Sequence, residues 1–137
     1  MLFKGLEVSI TGMQAQRVRI DIASSNLANV NSTNDGTGNP YRRKIPVFET
    51  VLEQQENGNP IYKVRVSKVI ADNSPLRAKY EPGNPDADEN GYVYYPNVDP
   101  IKEMVDMMSA IRSYEANLTA FNTHKDMLIK TIDLLKV

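Results

Sequence analysis

The residues best suited to chemistry are the carboxylates of a short acidic segment. Residues 86–91 are Asp-Ala-Asp-Glu-Asn-Gly, and this order of alternating oxygen ligands followed by glycine matches the first half of a calcium-binding EF-hand loop. The twelfth position, where a bidentate glutamate should complete the ligand shell, is Asn97. Pro82 and Pro85 also exclude the helix that should precede the loop. The segment therefore favours turn-forming polar residues over a metal site.

Catalytic groups are otherwise scarce. His124 is the single histidine, and the chain has no cysteine. A general base needs a positioned partner and a pocket, whereas His124 lies beside Lys125 inside a predicted helix, so we predict a surface or interface residue. The one enzymatic alternative is a calcium- or carboxylate-dependent hydrolase built on Asp86 and Asp88, but the carboxylate spacing pairs no acid with a base. We expect no enzymatic activity and no cofactor.

Size and charge limit the class of protein. The 137 residues suit one domain with a modest core. Because 16 basic residues are balanced by 17 acidic ones, no long-range field attracts nucleic acid or an anionic membrane. No run approaches the roughly 18 apolar residues of a membrane-spanning helix, and charges such as Lys4 and Glu7 interrupt the position of a cleavable signal. These features predict a cytoplasmic protein or one exported by an unusual route.

A long helix at the C-terminal end organises the chain. Asp99 is a good N-cap, and Pro100 suits the first helical position because its fixed φ fits a helix. Apolar residues then recur at intervals of three and four, with Lys125 as the polar exception, and a helix brings them to one side. This C-terminal ladder consists of Met104, Met107, Ile111, Tyr114, Leu118, Phe121, Leu128, Ile132 and Leu135. Its length predicts a coiled-coil partner. The opposite row, which includes Asp106, Ser113 and Asn117, is expected to face water.

The predicted partner is a second helix at the other end of the same chain. Residues 2–30 show the same period, and their N-terminal ladder consists of Leu2, Leu6, Met13, Ile20, Ala23, Leu27 and Val30. Val8 and Val18 lie off this ladder, so one partner helix would not cover every apolar group. The middle of the chain is too polar and turn-rich to cover two long helices. An assembly with several neighbours is therefore favoured over an ordinary globular core.

The middle of the chain is predicted to be a loop followed by short strands. Residues 31–44 form the loop, in which Arg42, Arg43 and Lys44 are weak evidence for nucleic acid and are expected to dock against acidic neighbours. Strands are predicted at residues 45–51, 61–70, 76–80 and 91–95, with a hairpin turn at residues 57–60 and with Lys68 out of phase in the second strand. The fold class is mainly α with a small β insert, in which the terminal helices pair as an antiparallel coiled coil. Its segments are residues 1–30, 31–97 and 98–137.

Asn26 and Asn29 flank Leu27 and Ala28 near the end of the first predicted helix. Buried amides in a helical seam fix the register when they are hydrogen-bonded. A fraying helix terminus, where asparagine is common, explains the same pattern. The residues alone leave both alternatives open.

Two groups of motifs resemble known proteins. Ser24-Ser25-Asn26-Leu27-Ala28-Asn29, followed by Thr33, Tyr41-Arg42-Arg43 and Phe48, resembles the N-terminal signature of bacterial flagellar rod and hook axial proteins. Within that family, residues 80–88 (Tyr-Glu-Pro-Gly-Asn-Pro-Asp-Ala-Asp) and later motifs resemble the basal-body proximal rod proteins of the C type. The later motifs are residues 91–93, 96–98, 103–105 and 113–117. The resemblance covers nearly the whole chain.

The resemblance implies a structural subunit that leaves the cell through the flagellar type III export apparatus without a cleaved signal. Such a subunit polymerises in the periplasm with copies of itself and other rod proteins, on the basal-body base, into a tube that transmits torque, without membrane insertion. The expected packing residues are Leu6, Met13, Ile20, Asn26, Leu27, Ala28, Asn29, Tyr41, Arg42, Met107, Ile111, Tyr114, Leu118, Phe121, Leu128 and Ile132. The alternative is a soluble helical adaptor or export chaperone that binds an amphipathic partner segment.

Overall fold

Two long helices from the ends of the chain and two β-hairpins between them make up the fold in a computed structural model, which describes residues 2–54 and 58–136. The mainly α class with a small β middle is confirmed. The elements in chain order are α1 (Leu2–Ala28), β1 (Lys44–Glu53), β2 (Ile61–Ala71), β3 (Arg77–Tyr80), β4 (Tyr92–Tyr95) and α2 (Pro100–Leu135).

Helix α2 begins where its capping residues predict. The Asp99 carboxylate accepts hydrogen bonds from the backbone N–H groups of Ile101 and Lys102, at 3.0 and 3.4 Å, and Pro100 occupies the first turn. The helix continues for 36 residues, about 54 Å at 1.5 Å per residue. Val137, the predicted last residue of the helix, lies outside the described residues. Neither described helix is both long and apolar enough to span a bilayer.

The two helices run antiparallel in a fixed register. Asn26 near the end of α1 bonds to Glu103 near the start of α2, Gly12 lies against Asn117, and Gly5 lies against His124. Seven residues forward on α1 therefore correspond to seven residues backward on α2. This register is consistent with the predicted antiparallel coiled coil.

The line of closest approach is not the apolar seam that the two ladders predict. Small or polar residues occupy it, including Gly12 on α1 and Glu103, Ala110 and Asn117 on α2. Ala23 is the member of the predicted N-terminal ladder that is fully buried there. The prediction was wrong here because it ranked helix faces by apolarity alone. Residues without long side chains let two backbones approach closely, so the ladders lie beside the contact line. Asn117 was assigned to the wetter row, yet it packs on Gly12.

The predicted hairpin is confirmed between β1 and β2, which pair antiparallel from Lys44 opposite Ala71 to Glu53 opposite Ile61. The register shifts between Val47, which is opposite Lys68, and Phe48, which is opposite Val66. Ser67 is thus an extra residue on β2, and this bulge reverses the alternation of side chains beyond it. It explains why Lys68 is out of phase. The predicted turn at residues 57–60 includes Asn57, which lies outside the described residues.

This hairpin covers the side of α1 that carries Lys4, Glu7 and Thr11. Lys63 of β2 lies 3.1 Å from the Glu7 carboxylate, Lys4 lies 3.6 Å from Glu53, and the N–H of Val64 points at the Thr11 hydroxyl oxygen. The expectation that the middle of the chain cannot cover two long helices is therefore corrected for one side of α1. One hairpin is long enough to follow most of α1.

The remaining short strands pair with each other. β3 and β4 form an antiparallel hairpin in which Tyr80 lies opposite Tyr92, and the two rings meet edge to face at 5.4 Å. Val93, the next residue of β4, is fully buried. Both strands were predicted, but not their pairing. The predicted loop is confirmed, since residues 31–43 contain no helix or strand.

Candidate functional site

Asn26 is the centre of a buried polar cluster near the end of α1. Its side chain is 1% exposed. The amide oxygen accepts hydrogen bonds from the Tyr41 hydroxyl at 2.8 Å and from the backbone N–H of Lys44 at 2.9 Å. The amide nitrogen donates to the Lys44 carbonyl and to Glu103, at 2.9 and 3.2 Å. Each polar group of the amide is therefore satisfied within the chain.

Glu103 brings a charge into this cluster from α2. It is 1% exposed, and its second carboxylate oxygen accepts a hydrogen bond from Nε of Arg43. Burial alone would lower the pKa of the Arg43 guanidinium, but the Glu103 and Asp72 carboxylates outweigh burial and raise it. Arg43 is thus held as a cation beside a carboxylate that has almost no contact with solvent.

A second layer of hydrogen bonds holds Arg43 in place. Its backbone N–H donates to the Asn97 side chain at 2.8 Å, and the Asn97 amide nitrogen donates to the carbonyl of Asp72 at 3.0 Å. Arg42 donates to the carbonyls of Asp72 and Ser74. The N–H and hydroxyl groups of Ser74, followed by Arg43, keep the pKa of Asp72 below its usual value. Arg43 therefore docks against acidic groups, as expected, whereas Arg42 docks against carbonyl groups and Lys44 lies over the Tyr41 ring.

The cluster joins three separate parts of the chain at one point. Asn26 comes from α1, Tyr41 and Arg43 from the loop before β1, and Glu103 from the first turn of α2. Asn26 and Glu103 are both fully buried, so their polar groups are not open to a substrate. The chemistry of the cluster is structural: it fixes the crossing of the helices relative to the long hairpin.

The two asparagines of the motif have different roles. Of the two alternatives left open, the structure gives Asn26 the buried, hydrogen-bonded one. Asn29 instead caps the end of α1: its amide nitrogen donates to the Ser25 carbonyl at 2.8 Å, and its oxygen accepts from the Ser32 hydroxyl at 3.1 Å. For Asn29 the helix-terminus explanation holds.

Tyr41→Phe should lower the free energy of unfolding by about 1–2 kcal/mol. The change removes the hydroxyl that donates to Asn26 but keeps the ring, so the loss is that of one buried hydrogen bond. Urea denaturation followed by circular dichroism measures it. The matched control is Tyr94→Phe, whose ring is 43% exposed. Equal effects of the two changes would contradict the assigned role of the Tyr41 hydroxyl.

The acidic segment that resembles an EF-hand is a set of turns. Oδ1 of Asp88 accepts the backbone N–H groups of Asn90 and Tyr92, both at 2.9 Å. Asp86 accepts the Thr33 hydroxyl at 2.6 Å, which ties the loop after α1 to this turn. No group of three or more potential metal ligands occurs among the described residues. The carboxylates thus cap local backbone and side-chain donors, as predicted.

His124 is an interface residue between the two helices. Its ring packs over Gly5, where an added Cβ would lie 2.8 Å from Cε1. Nδ1 is buried and has no hydrogen-bond partner among the described residues. The ring therefore fills the space that Gly5 leaves between the two helices.

A broad apolar face lies on the side of the helix pair opposite the long hairpin. On α1, Leu6 and Met13 follow the hairpin-facing residues Lys4 and Thr11 by two positions, which places them about 200° around the helix axis. Ile20 and Leu27 continue this row at intervals of seven residues. On α2, one row of the ladder follows the contact residues Glu103, Ala110 and Asn117 by one position. Because the two helices are antiparallel, the row on α1 and the row on α2 lie on the same side of the helix pair. The apolar face consists of Leu6, Met13, Ile20, Leu27, Met104, Met107, Ile111, Tyr114, Leu118, Phe121, Leu128 and Ile132.

The predicted packing residues differ in how far they remain accessible. Asn26 and Tyr41 are buried within the chain. The half-buried ones are Leu6, Met13, Ile20, Leu27, Asn29, Arg42, Met107, Tyr114, Phe121 and Leu128. The exposed ones are Ala28, Ile111, Leu118 and Ile132. The ladder of α2 therefore splits into a row beside the contact line and a row that faces solvent. The solvent-facing row repeats every seven residues.

Sequence reasoning missed Gly5, Gly12, Arg43 and Glu103 as structural residues. One signal was present. Residues 5, 12, 19 and 26 on α1 and residues 103, 110, 117 and 124 on α2 are two heptad rows of small or polar residues. Such rows mark where helices approach closely. The contact of Arg43 with Glu103 has no local signal, because 60 residues separate them.

Two family models match the ends of the chain. The model described as "Flagella basal body rod protein" matches residues 6–34. The model described as "Flagellar basal body rod FlgEFG protein C-terminal" matches residues 89–134. These ranges contain most of α1 and α2, together with Asn26 and Glu103.

Whole-chain relatives are more specific. The chain is 46% identical to the flagellar basal-body rod protein FlgC of Bacillus subtilis and 46% identical to that of Aquifex aeolicus, with 98% of each chain covered in both comparisons. It is 44% identical to FlgC of Salmonella typhimurium over 93% of each chain. The part of the chain covered by these comparisons includes the helices, the hairpins and the polar cluster. The chain belongs to the family of FlgC flagellar basal-body rod proteins, which are structural components of the flagellar basal body and not enzymes.

Proposed function

We propose that this chain is a subunit of the proximal rod that polymerises through its terminal helices into a helical tube and transmits torque. The apolar face is the observation that carries the proposal. Met104, Ile111, Leu118 and Ile132 remain 40–55% exposed although they are large and apolar. Contiguous apolar surface of this kind on a soluble chain indicates a protein interface.

The spacing of these four residues indicates what covers them. They fall on one heptad row, in which Lys125 is the only polar member. A seven-residue apolar repeat forms a stripe that winds slowly around the helix, and a partner helix that coils alongside can follow it. The occupant is therefore a helix of a neighbouring subunit, supplied by another copy or by a related rod protein. Leu6, Met13, Ile20 and Leu27, which are half-buried, are the part of the same face that α1 contributes.

The buried polar cluster supports the mechanical part of the proposal. A subunit in a rotating rod must pass force between its helices and its outer segment without a hinge. Asn26, Arg43 and Glu103 connect these parts through hydrogen bonds and a buried ion pair. The cluster thus contributes to assembly by holding the face in one geometry. Assembly in the periplasm, after type III export without a cleaved signal, belongs to the same proposal.

Ile132→Asp should abolish incorporation into rods while leaving the chain folded. Ile132 is 48% exposed, so the change should alter the free energy of unfolding by about 0.5 kcal/mol or less, but it places a charge in the packed face. The assay replaces the gene in its own bacterium and then measures swimming in soft agar and the rods in purified basal bodies.

The control for this experiment is Ile132→Met, which keeps the position apolar and should swim. Normal rods built with Ile132→Asp would contradict the proposal. A finite complex of the purified chain with one partner, in place of open polymers, would favour an adaptor.

A further inference from the structure

One face of the hairpin formed by β3 and β4 carries three exposed tyrosines. On β4, Tyr92 and Tyr94 alternate with the buried Val93, so both rings point away from the interior of the chain. Tyr80 of β3 lies opposite Tyr92, and Ala78 lies opposite Tyr94, so both share this side of the hairpin. The three tyrosines are each at least 43% exposed. Tyr80, Tyr92 and Tyr94 are called the tyrosine face below.

The opposite side of the same hairpin is engaged within the chain. Tyr95 points to this side by alternation, and its hydroxyl donates a hydrogen bond to Glu81 at 3.0 Å. Lys79 pairs with Glu81 at 3.1 Å. Arg77 donates to two backbone carbonyls, at 3.1 and 3.2 Å. The two basic residues of β3 are therefore held on the side away from the tyrosine face.

The segment that contains most of the tyrosine face is acidic. Residues 80–101 include five carboxylates and no lysine, arginine or histidine, although the whole chain is nearly balanced in charge. Asp86, Asp88 and Glu89 are exposed, and none of them has an ion-pair partner within residues 2–54 and 58–136. Asp88 lies directly beside the tyrosine face, because its carboxylate accepts the backbone N–H of Tyr92 at 2.9 Å. The turn before β4 therefore brings negative charge next to the rings.

Rings and carboxylates together favour a cation. The face of an aromatic ring attracts ammonium and guanidinium groups, and a planar guanidinium also stacks on the ring. We infer that the tyrosine face docks an extended basic segment of a partner protein, whose arginine or lysine side chains lie over the rings beside the carboxylates of the turn before β4. Tyrosine and arginine are also the residues that most often dominate the affinity of protein interfaces.

The spacing of the rings indicates that the docked segment is extended. Tyr92 and Tyr94 are two residues apart on one strand, which separates them by about 6.6 Å. Side chains at alternate positions of an extended peptide have the same spacing and lie on one side of it. Two cations of such a segment can therefore cover two neighbouring rings at once.

Other classes of partner fit this surface less well. The carboxylates repel nucleic acid and anionic lipid surfaces. A purely apolar segment leaves the carboxylates without a partner and matches the apolar face of the helices better. The inference goes beyond the proposed function, because the tyrosine face shares no residue with the apolar face.

A titration followed by nuclear magnetic resonance tests the docking. The probe is the peptide Thr-Arg-Thr-Arg-Thr-Arg-Thr with blocked ends, which is added to the purified full chain. The backbone amide signals of Tyr80, Tyr92, Tyr94 and the turn before β4 should shift as the peptide concentration rises. The same peptide with citrulline, an uncharged analogue of arginine, should bind about tenfold more weakly.

Removing the rings should weaken binding without a change of charge. Tyr92→Leu combined with Tyr94→Leu should raise the dissociation constant of the peptide about tenfold, because two exposed contacts between a cation and a ring are lost. Tyr94→Leu alone keeps the stacked rings of Tyr80 and Tyr92 and should raise it about threefold, even if the double variant does not fold. The matched control is Tyr62→Leu, an exposed tyrosine of β2, which should leave binding unchanged.

Reversal of one charge separates a local site from the overall charge of the chain. Glu89→Lys, in the turn before β4, should weaken peptide binding about threefold or more. Glu115→Lys makes the same change at an exposed position of α2 and should leave binding unchanged. Equal weakening by the two variants would mean that the peptide responds only to net charge, and it would overturn the inference.

Other results would also overturn it. These are the absence of any shift at a large excess of peptide, shifts spread equally over other surfaces, and undiminished binding after loss of the ring of Tyr94. Sedimentation velocity of the purified chain tests the remaining occupant, a second copy. Weaker self-association of the Tyr94→Leu variant with unchanged peptide binding would assign the tyrosine face to that second copy and reject the basic partner.

Discussion

Glu103→Ala should lower the free energy of unfolding by about 3 kcal/mol, the largest loss we expect from one change in this chain. Removing one member of a buried ion pair leaves the other charge uncompensated, and typical losses are about 3–5 kcal/mol. The Arg43 side chain is 29% exposed and keeps a second carboxylate, Asp72, at 3.5 Å. The lower end of the range is therefore expected. Urea denaturation followed by circular dichroism measures it.

Two variants separate the charge of Glu103 from its position on the helix. Glu103→Gln keeps the shape and the oxygen that accepts from Asn26, but it places an amide N–H group toward Arg43, so an intermediate loss is expected. Glu115→Ala changes an exposed glutamate of the same helix and should alter the free energy of unfolding by about 0.5 kcal/mol or less. Equal losses for Glu103→Ala and Glu115→Ala would contradict the buried pair.

The elements of the fold were predictable because their signals are local. Asp99 and Pro100 define the start of α2 through the chemistry of one helical turn. Alternating side chains define β2, and proline and glycine residues end the strands near it. Each of these signals depends on only a few neighbouring residues. The same was true of the acidic turn at Asp88, whose carboxylate bonds to N–H groups two and four residues later.

The packing of these elements was less predictable. An apolar ladder shows which side of a helix must be covered, but not which partner covers it. Here Gly5 and Gly12 let α1 approach α2 along a row of small and polar residues. Because this row makes the contact, Ile111 and Leu118 lie beside it and are exposed to solvent. Residues that were predicted to join the two helices therefore belong to the surface proposed for assembly.

The polar cluster was predictable only in part. The motif around Asn26 suggested a buried amide that fixes register, and that alternative is the one the structure supports. Its partners Tyr41, Arg43 and Glu103 come from the loop and from the other end of the chain. Contacts between residues so far apart in the sequence depend on the tertiary fold, and no periodic pattern in a single sequence indicates them.

Gly12→Ala should lower the free energy of unfolding by about 1 kcal/mol, although alanine is the better helix former. In a helix interior, alanine is favoured over glycine by about 1 kcal/mol. Against this, an added Cβ would lie 2.6 Å from Oδ1 of Asn117, whose amide is held by a 2.9 Å hydrogen bond to the Ser113 carbonyl. Overpacking of this kind costs about 1–3 kcal/mol, so the steric cost exceeds the gain.

The sign of the effect should reverse when Asn117 is shortened. In an Asn117→Ala background the amide is gone, the new methyl group has space, and Gly12→Ala should raise the free energy of unfolding by about 1 kcal/mol. The difference between the two backgrounds is a coupling energy of about 2 kcal/mol in a double-mutant cycle. If Gly12→Ala stabilises both backgrounds equally, the two helices do not approach in solution as they do here. Propensity alone would then explain the result, because only close helix contact makes the effect depend on Asn117.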